Sequence, residues 1–160
     1  MRLLKYNREA AVTYARRWAL GRNPMYYDFS DIGGDCTNFA SQCIYAGAKI
    51  MNFTPEFGWF YKTANDRTPS WTGVEFLYEF LTRNRSVGPF GHLVSESEAQ
   101  PGDIVQLGRD NGDFYHTPVI IATEPEILVA AHTYDVLNKP LSAYNYAIAR
   151  FIHIDGVRAW

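Results

Sequence analysis

An α+β fold, with N-terminal helices packed on a C-terminal antiparallel sheet, is what the sequence predicts, and three observations predict it. Apolar residues recur at helical intervals in three segments up to Leu81. After Pro101 the chain turns to short Val- and Ile-rich runs separated by turn signals. The two regimes follow one another instead of alternating, which favours segregated layers over a parallel βαβ sheet. The 160 residues suit one domain, 1–160, with a core large enough to need no disulfide.

The elements follow in order. Asn7 ahead of Arg8-Glu9-Ala10-Ala11 reads as a helix start; Ala11, Tyr14, Ala15 and Trp18 mark one face, and Gly21 is the stop. Residues 22 to 34 form a loop rich in Gly, Asn, Pro and Asp. A second helix starts at Asp35-Cys36-Thr37, with Cys36, Phe39, Ala40, Cys43, Ile44 and Gly47 on its apolar face. Thr72-Gly73-Val74-Glu75 has the form of a capping box and opens a third helix through Val74, Leu77, Tyr78 and Leu81. Pro101-Gly102 is a turn into a strand from Asp103 to Leu107. Val119 to Ala122 and Ile127 to Ala131 flank Glu124-Pro125-Glu126 as the arms of a hairpin, and Ala147 to Ile154 supplies a last strand.

Composition narrows the function classes. A formal charge of -2 with 20% charged residues provides no basic footprint for nucleic acid and no polybasic face for a membrane. No apolar run reaches the length of a membrane span, and Met1-Arg2-Leu3-Leu4-Lys5-Tyr6 lacks a signal peptide's apolar stretch. A cytoplasmic protein is therefore expected, unless the chain is a domain of an exported one. Aromatic residues make up 16%, and stretches such as Phe57-Gly58-Trp59-Phe60-Tyr61 are expected mostly in the core. The partner expected is a small polar molecule or a peptide, and the oligomeric state is left open.

The chemistry-bearing residues are few. Cys36 and Cys43 lie seven residues apart on one helix, about 10 Å along its axis and beyond a disulfide's reach. Cys43 sits mid-helix as a small buried hydrophobe. Cys36 sits in the first turn, where free N–H groups and the helix dipole favour a thiolate. The same N–H groups, that of Cys36 among them, suit an oxyanion. The alternative is that Asp35 merely caps the helix and Cys36 is filler. Four histidines could serve as base. His92 and His153 read as surface or strand residues, whereas His116 and His132 flank the predicted hairpin. They share a face if it turns about Glu124 or Pro125, and lie on opposite faces if it turns between two residues. The pairing favours His116 as the base, with His132, or else Asp135, orienting it. No H-E-x-x-H or Cys-x-x-Cys pattern points to zinc, and Glu75, Glu79 and Glu96 have no spacing that marks a glycosidase pair.

At these residues the chain resembles the NlpC/P60 and CHAP superfamily of papain-like cysteine hydrolases. The resemblance is carried by Asp35-Cys36-Thr37-Asn38-Phe39 at the nucleophile turn, Pro101-Gly102-Asp103-Ile104-Val105 entering the sheet, and His116 at the start of the next strand. Within that superfamily, Gly33 through Cys43, Trp71-Thr72-Gly73-Val74 and Ala131-His132-Thr133-Tyr134-Asp135 are similar to the bacterial amidase 6 domain. The resemblance covers nearly the whole chain. It implies a papain-like, NlpC/P60-type fold and amide hydrolysis without metal or organic cofactor. It puts the nucleophile on Cys36, the base on His116 and the third polar residue on His132, with Tyr26 or Tyr27 near the substrate. A peptide or other amide is the implied substrate, with a peptidoglycan stem peptide one candidate. The chain has Asp35-Cys36-Thr37-Asn38 where the wall peptidases have Asp-Cys-Ser-Gly. The rival from another class is an inactive module that holds peptide or glycan on the same fold.

Overall fold

In a computed structural model describing residues 1–160, three-residue strand β1 (Arg2–Leu4) leads into α1 (Arg8–Trp18) and α2 (Cys36–Ala48). Asn7 caps α1 as its sequence foretells, accepting the Ala10 N–H at 3.0 Å. Ala11 and Ala15 are buried, and their small size lets α1 lie close on α2, where the Asn7 N–H donates to the Gly47 carbonyl at 3.0 Å. Helix α2 ends at Lys49, whose φ of 63° is left-handed. A small hairpin of β2 (Tyr61–Thr63) and β3 (Asp66–Arg67) precedes α3 (Pro69–Thr72) and α4 (Val74–Arg83).

The capping box expected at Thr72–Glu75 does not form. Thr72 ends the separate helix α3, where its hydroxyl accepts from Arg67 Nε at 3.1 Å, and Gly73 starts α4 without a side-chain cap. A capping box forms instead at Ser95 and Glu98, around the 3₁₀ turn Glu96–Glu98.

The architecture is α+β with one large antiparallel sheet. Its strands are β4 (Gly88–Val94), β5 (Ile104–Gly108), β6 (Phe114–His116), β7 (Val119–Ala122), β8 (Leu128–Ala131), β9 (Val136–Pro140) and β10 (Ile148–Ala159), together with β1. The order runs β1-β10-β5-β7-β8-β9, with β4 also on β10 and β6 on β5. Strand β10 is longer than its apolar run suggests, because its first half pairs with β5 while its second half pairs with β4 and β1. The sheet is thus not wholly C-terminal.

Side chains alternate across β5. Ile104 joins the main core under the helices and Gln106 reaches α4, donating to the Val74 carbonyl at 2.9 Å. Val105 and Leu107 enter a smaller core on the other face with Ile120, Val129 and Phe151. Both faces are therefore covered, and the β5 strand reads as continuously apolar apart from Gln106. No helix is long and apolar enough to cross a membrane.

Candidate active site

Gly33 and Gly34, at φ 81° and 98°, let the loop after α1 reverse into α2. Asp35 follows them. Its carboxylate is fully buried and caps no helix N–H; Oδ1 accepts from the Phe29 N–H at 2.8 Å and from Asn38 Nδ2 at 2.9 Å, and Oδ2 lies 2.5 Å from His132 Nδ1. The Asp35 N–H donates to Thr133 Oγ1 at 2.9 Å.

Cys36 opens the helix, as its position in the sequence implies; the residue is 8% exposed and Sγ lies 3.7 Å from Thr37 Oγ1. Burial pushes the thiol pKa up. The Thr37 hydroxyl and the N–H groups of Thr37 and Thr117 favour the thiolate, Asp35 opposes it, and burial decides the direction. The expected depressed pKa is thus overturned. Desolvation of the sulfur works against the helix N-terminus, and here it is the larger influence. Cys43 is completely buried and its thiol is pushed up further.

His116 ends β6, opposite Leu107 of β5, instead of beginning a strand. Its ring is held by packing, with the Tyr115 ring at 6.5 Å and nearly parallel and the Tyr144 ring at 5.6 Å. Burial, then the charge of Lys139, lowers its pKa to about 4, so the imidazole is neutral near pH 7 and can accept a proton.

Thr117 links this strand end to the nucleophile turn, with its Oγ1 3.1 Å from Thr37 Oγ1 and 3.3 Å from Gln106 Nε2. Tyr144 borders both residues. Its hydroxyl pKa is raised to about 12 by burial, with the neighbouring Cys36 and Tyr115 adding to the effect, and Lys139 Nζ sits 3.9 Å over its ring. Cys36 and His116 share this neighbourhood, though no hydrogen bond joins Sγ to the imidazole.

His132 is elsewhere. Its ring is 1% exposed, stacks on Phe39 with centroids 4.0 Å apart, and places Nδ1 on Asp35 and Nε2 2.9 Å from the Trp18 carbonyl. It makes no bond to His116. The hairpin does turn about Pro125, where Ala122 pairs with Leu128. The shared-face expectation fails because a register shift between Ile120 and Ala122 then pairs Ile120 with Val129 and Val119 with Ala130, an odd register that puts positions 116 and 132 on opposite faces. In addition, Thr117 and Pro118 separate β6 from β7. Asp135 does not orient His116 either; both its oxygens are taken by Arg22, at 2.7 and 3.0 Å.

Tyr26 packs into the aromatic cluster, its ring 5.0 Å from Tyr61 and 6.0 Å from Trp71. Tyr27 is half exposed, and its backbone ties the loop down by donating to Tyr61 Oη at 2.8 Å and accepting from Asn38 Nδ2 at 2.9 Å. His153 belongs to a separate buried cluster in which Asp103 binds Arg8 and the imidazole, and His92 pairs with Asp155 near the surface. No group of three or more His, Cys, Asp or Glu side chains is gathered as a metal site would require.

Thr117, Tyr144 and Lys139 went unnoticed in the sequence because only tertiary pairing brings them to Cys36 and His116. Asp35 carried a signal, its place beside Cys36, but was legible only as a cap.

Residues 5–154 match the family described as "Putative amidase domain". A relative from Bacillus subtilis (strain 168), named "Uncharacterized protein YhbB", is 34% identical over 139 residues. The match covers 84% of this chain and 43% of that protein, so the chain spans less than half the relative's length. No solved structure matches.

Proposed function

The chain belongs to the family described as "Putative amidase domain", and from that premise we propose that it hydrolyses an amide bond by a cysteine mechanism on a papain-like fold of the NlpC/P60 and CHAP kind. Cys36 is the nucleophile and His116 the base. The observation that carries this reading is the thiol at the first position of α2, against Thr117, with the neutral imidazole of the preceding residue in the same neighbourhood.

The raised thiol pKa and the lowered imidazole pKa make the resting pair a neutral thiol and a neutral base. The proton therefore moves to His116 as sulfur attacks the carbonyl carbon, not before. The carbonyl oxygen takes up the negative charge, and the N–H groups of the first turn of α2, which have no partner within the helix, stabilise it. Collapse breaks the C–N bond while the imidazolium gives its proton to the leaving amine. A water deprotonated by His116 then adds to the thioester, the C–S bond breaks to release the acid product, and the Cys36 thiolate takes the proton back from the His116 imidazolium.

The substrate proposed is a peptide or another carboxamide, with the stem peptide of peptidoglycan the first to try. An inactive peptide- or glycan-binding module is the second reading, favoured by the burial of Sγ and by the lack of a hydrogen bond from it to His116. Mass spectrometry of peptidoglycan fragments and a peptide library incubated with the protein separates the two. Hydrolysed amides that vanish with Cys36→Ala and His116→Ala support the enzyme. Turnover that persists in Cys36→Ala refutes the nucleophile.

A further inference from the structure

We infer that His132 and Thr133 form a positioning clamp for the nucleophile turn, gripping Asp35, the residue immediately ahead of Cys36, by its side chain and its backbone at once. The inference rests on the reading of Cys36 as nucleophile. His132 Nδ1 lies 2.5 Å from Asp35 Oδ2, and Thr133 Oγ1 accepts the Asp35 N–H at 2.9 Å. Two adjacent residues of the turn between β8 and β9 thereby hold both ends of one residue of the α2 turn.

The clamp is itself fastened. The His132 ring is pinned by Phe39 on its face and by the Trp18 carbonyl at Nε2. Arg22 binds both oxygens of Asp135 and also Ser30 Oγ at 3.0 Å, tying the turn to the loop that leads into α2. Thr133 has a φ of 52°, a left-handed conformation that a β-branched residue adopts only when its surroundings impose it. Such backbone strain is retained where the geometry it secures matters.

The grip is also electrostatic. The Asp35 carboxylate opposes the Cys36 thiolate. The groups facing that carboxylate are His132 and Arg22, whose Nε is 3.6 Å from Oδ2, with Asp28 and Asp135 beyond Arg22. Those around the thiol are Asp35 and Tyr144, and the Tyr144 ring is in turn neighboured by His116 and Lys139. Removing the donor at position 132 leaves the carboxylate less compensated, and the thiolate is then harder to form. His132 thus acts through Asp35 on the nucleophile and not on the base.

The test is the rate of Cys36 alkylation by iodoacetamide against pH, read by peptide mapping with Cys43 as internal reference and thermal melting as the check on folding. His132→Phe keeps the packing on Phe39 and loses the donor; Cys36 labelling is expected to fall about tenfold at pH 8, with its profile displaced to higher pH. His132→Gln, which can still donate to Asp35, is expected to stay within about threefold of wild type. Thr133→Val keeps the β-branched shape at an exposed position, and about a threefold loss is expected from the freed Asp35 N–H. A folded His132→Phe whose profile superimposes on wild type overturns the clamp. If that variant does not fold, Thr133→Val decides, and wild-type labelling there overturns it. Wild-type Cys36 labelling no faster than Cys43 overturns the nucleophile and the clamp together, whereas preferential labelling unaltered by the variants overturns the clamp alone.

Discussion

Replacing His116 with Gln removes a titration that couples folding to pH. The ring is 8% exposed, and burial together with Lys139 brings its pKa from 6.5 to about 4. Between those values the unfolded chain binds a proton that the folded chain refuses, so stability is complete above about pH 6.5 and is lost as pH falls toward 4. The full displacement corresponds to about 3 kcal/mol. Between pH 7.5 and 5 the loss works out at about 2 kcal/mol, because at pH 5 the unfolded ring is almost wholly charged and the folded ring almost wholly neutral. Urea denaturation of wild type and His116→Gln at both pH values isolates this contribution, since the other titrating groups are common to both. Wild type is expected to lose about 2 kcal/mol more than the variant on acidification. Parallel losses in the two proteins would show that burial does not depress the His116 pKa.

Three further outcomes follow from the packing. Gly47→Ala, ordinarily stabilising by about 1 kcal/mol in a helix, is expected to destabilise by about 1 to 3 kcal/mol, because a Cβ there would meet the Asn7 carbonyl and the Tyr6 ring, each at 2.6 Å; a raised urea midpoint would refute the close packing of α1 on α2. Trp71→Phe is expected to cost about 2 to 3 kcal/mol, since the fully buried indole donates to Asn38 Oδ1 at 3.0 Å and its loss leaves that amide oxygen unpaired; denaturation within about 0.5 kcal/mol of wild type would contradict it. In the native protein at pH 7, Cys36 should alkylate more slowly than a free cysteine and Cys43 only on unfolding, because burial raises both thiols; rapid native labelling of Cys43 would refute its enclosure.

The sequence alone determined what is local. Asn7 caps α1 because a short polar side chain can reach the N–H three residues on, and Cys36 opens α2 because the glycine-rich loop ends one residue before it. The apolar runs at Ile104, Val119 and Leu128 became strands since nothing but a covered sheet could bury them. Strand β4 was not legible: Gly88-Pro89-Phe90-Gly91 has no strand pattern, and it is extended only because β10 supplies partners some sixty residues away. The tertiary structure likewise decided the company each histidine keeps. A one-residue register shift within the β7–β8 ladder, between Ile120 and Ala122, together with the Thr117-Pro118 break, separates His116 from His132, and no composition or spacing reports that shift. It also decided the proton balance. The helix N-terminus that favours a Cys36 thiolate is visible in the sequence, but the desolvation that outweighs it exists only once folding has buried the sulfur.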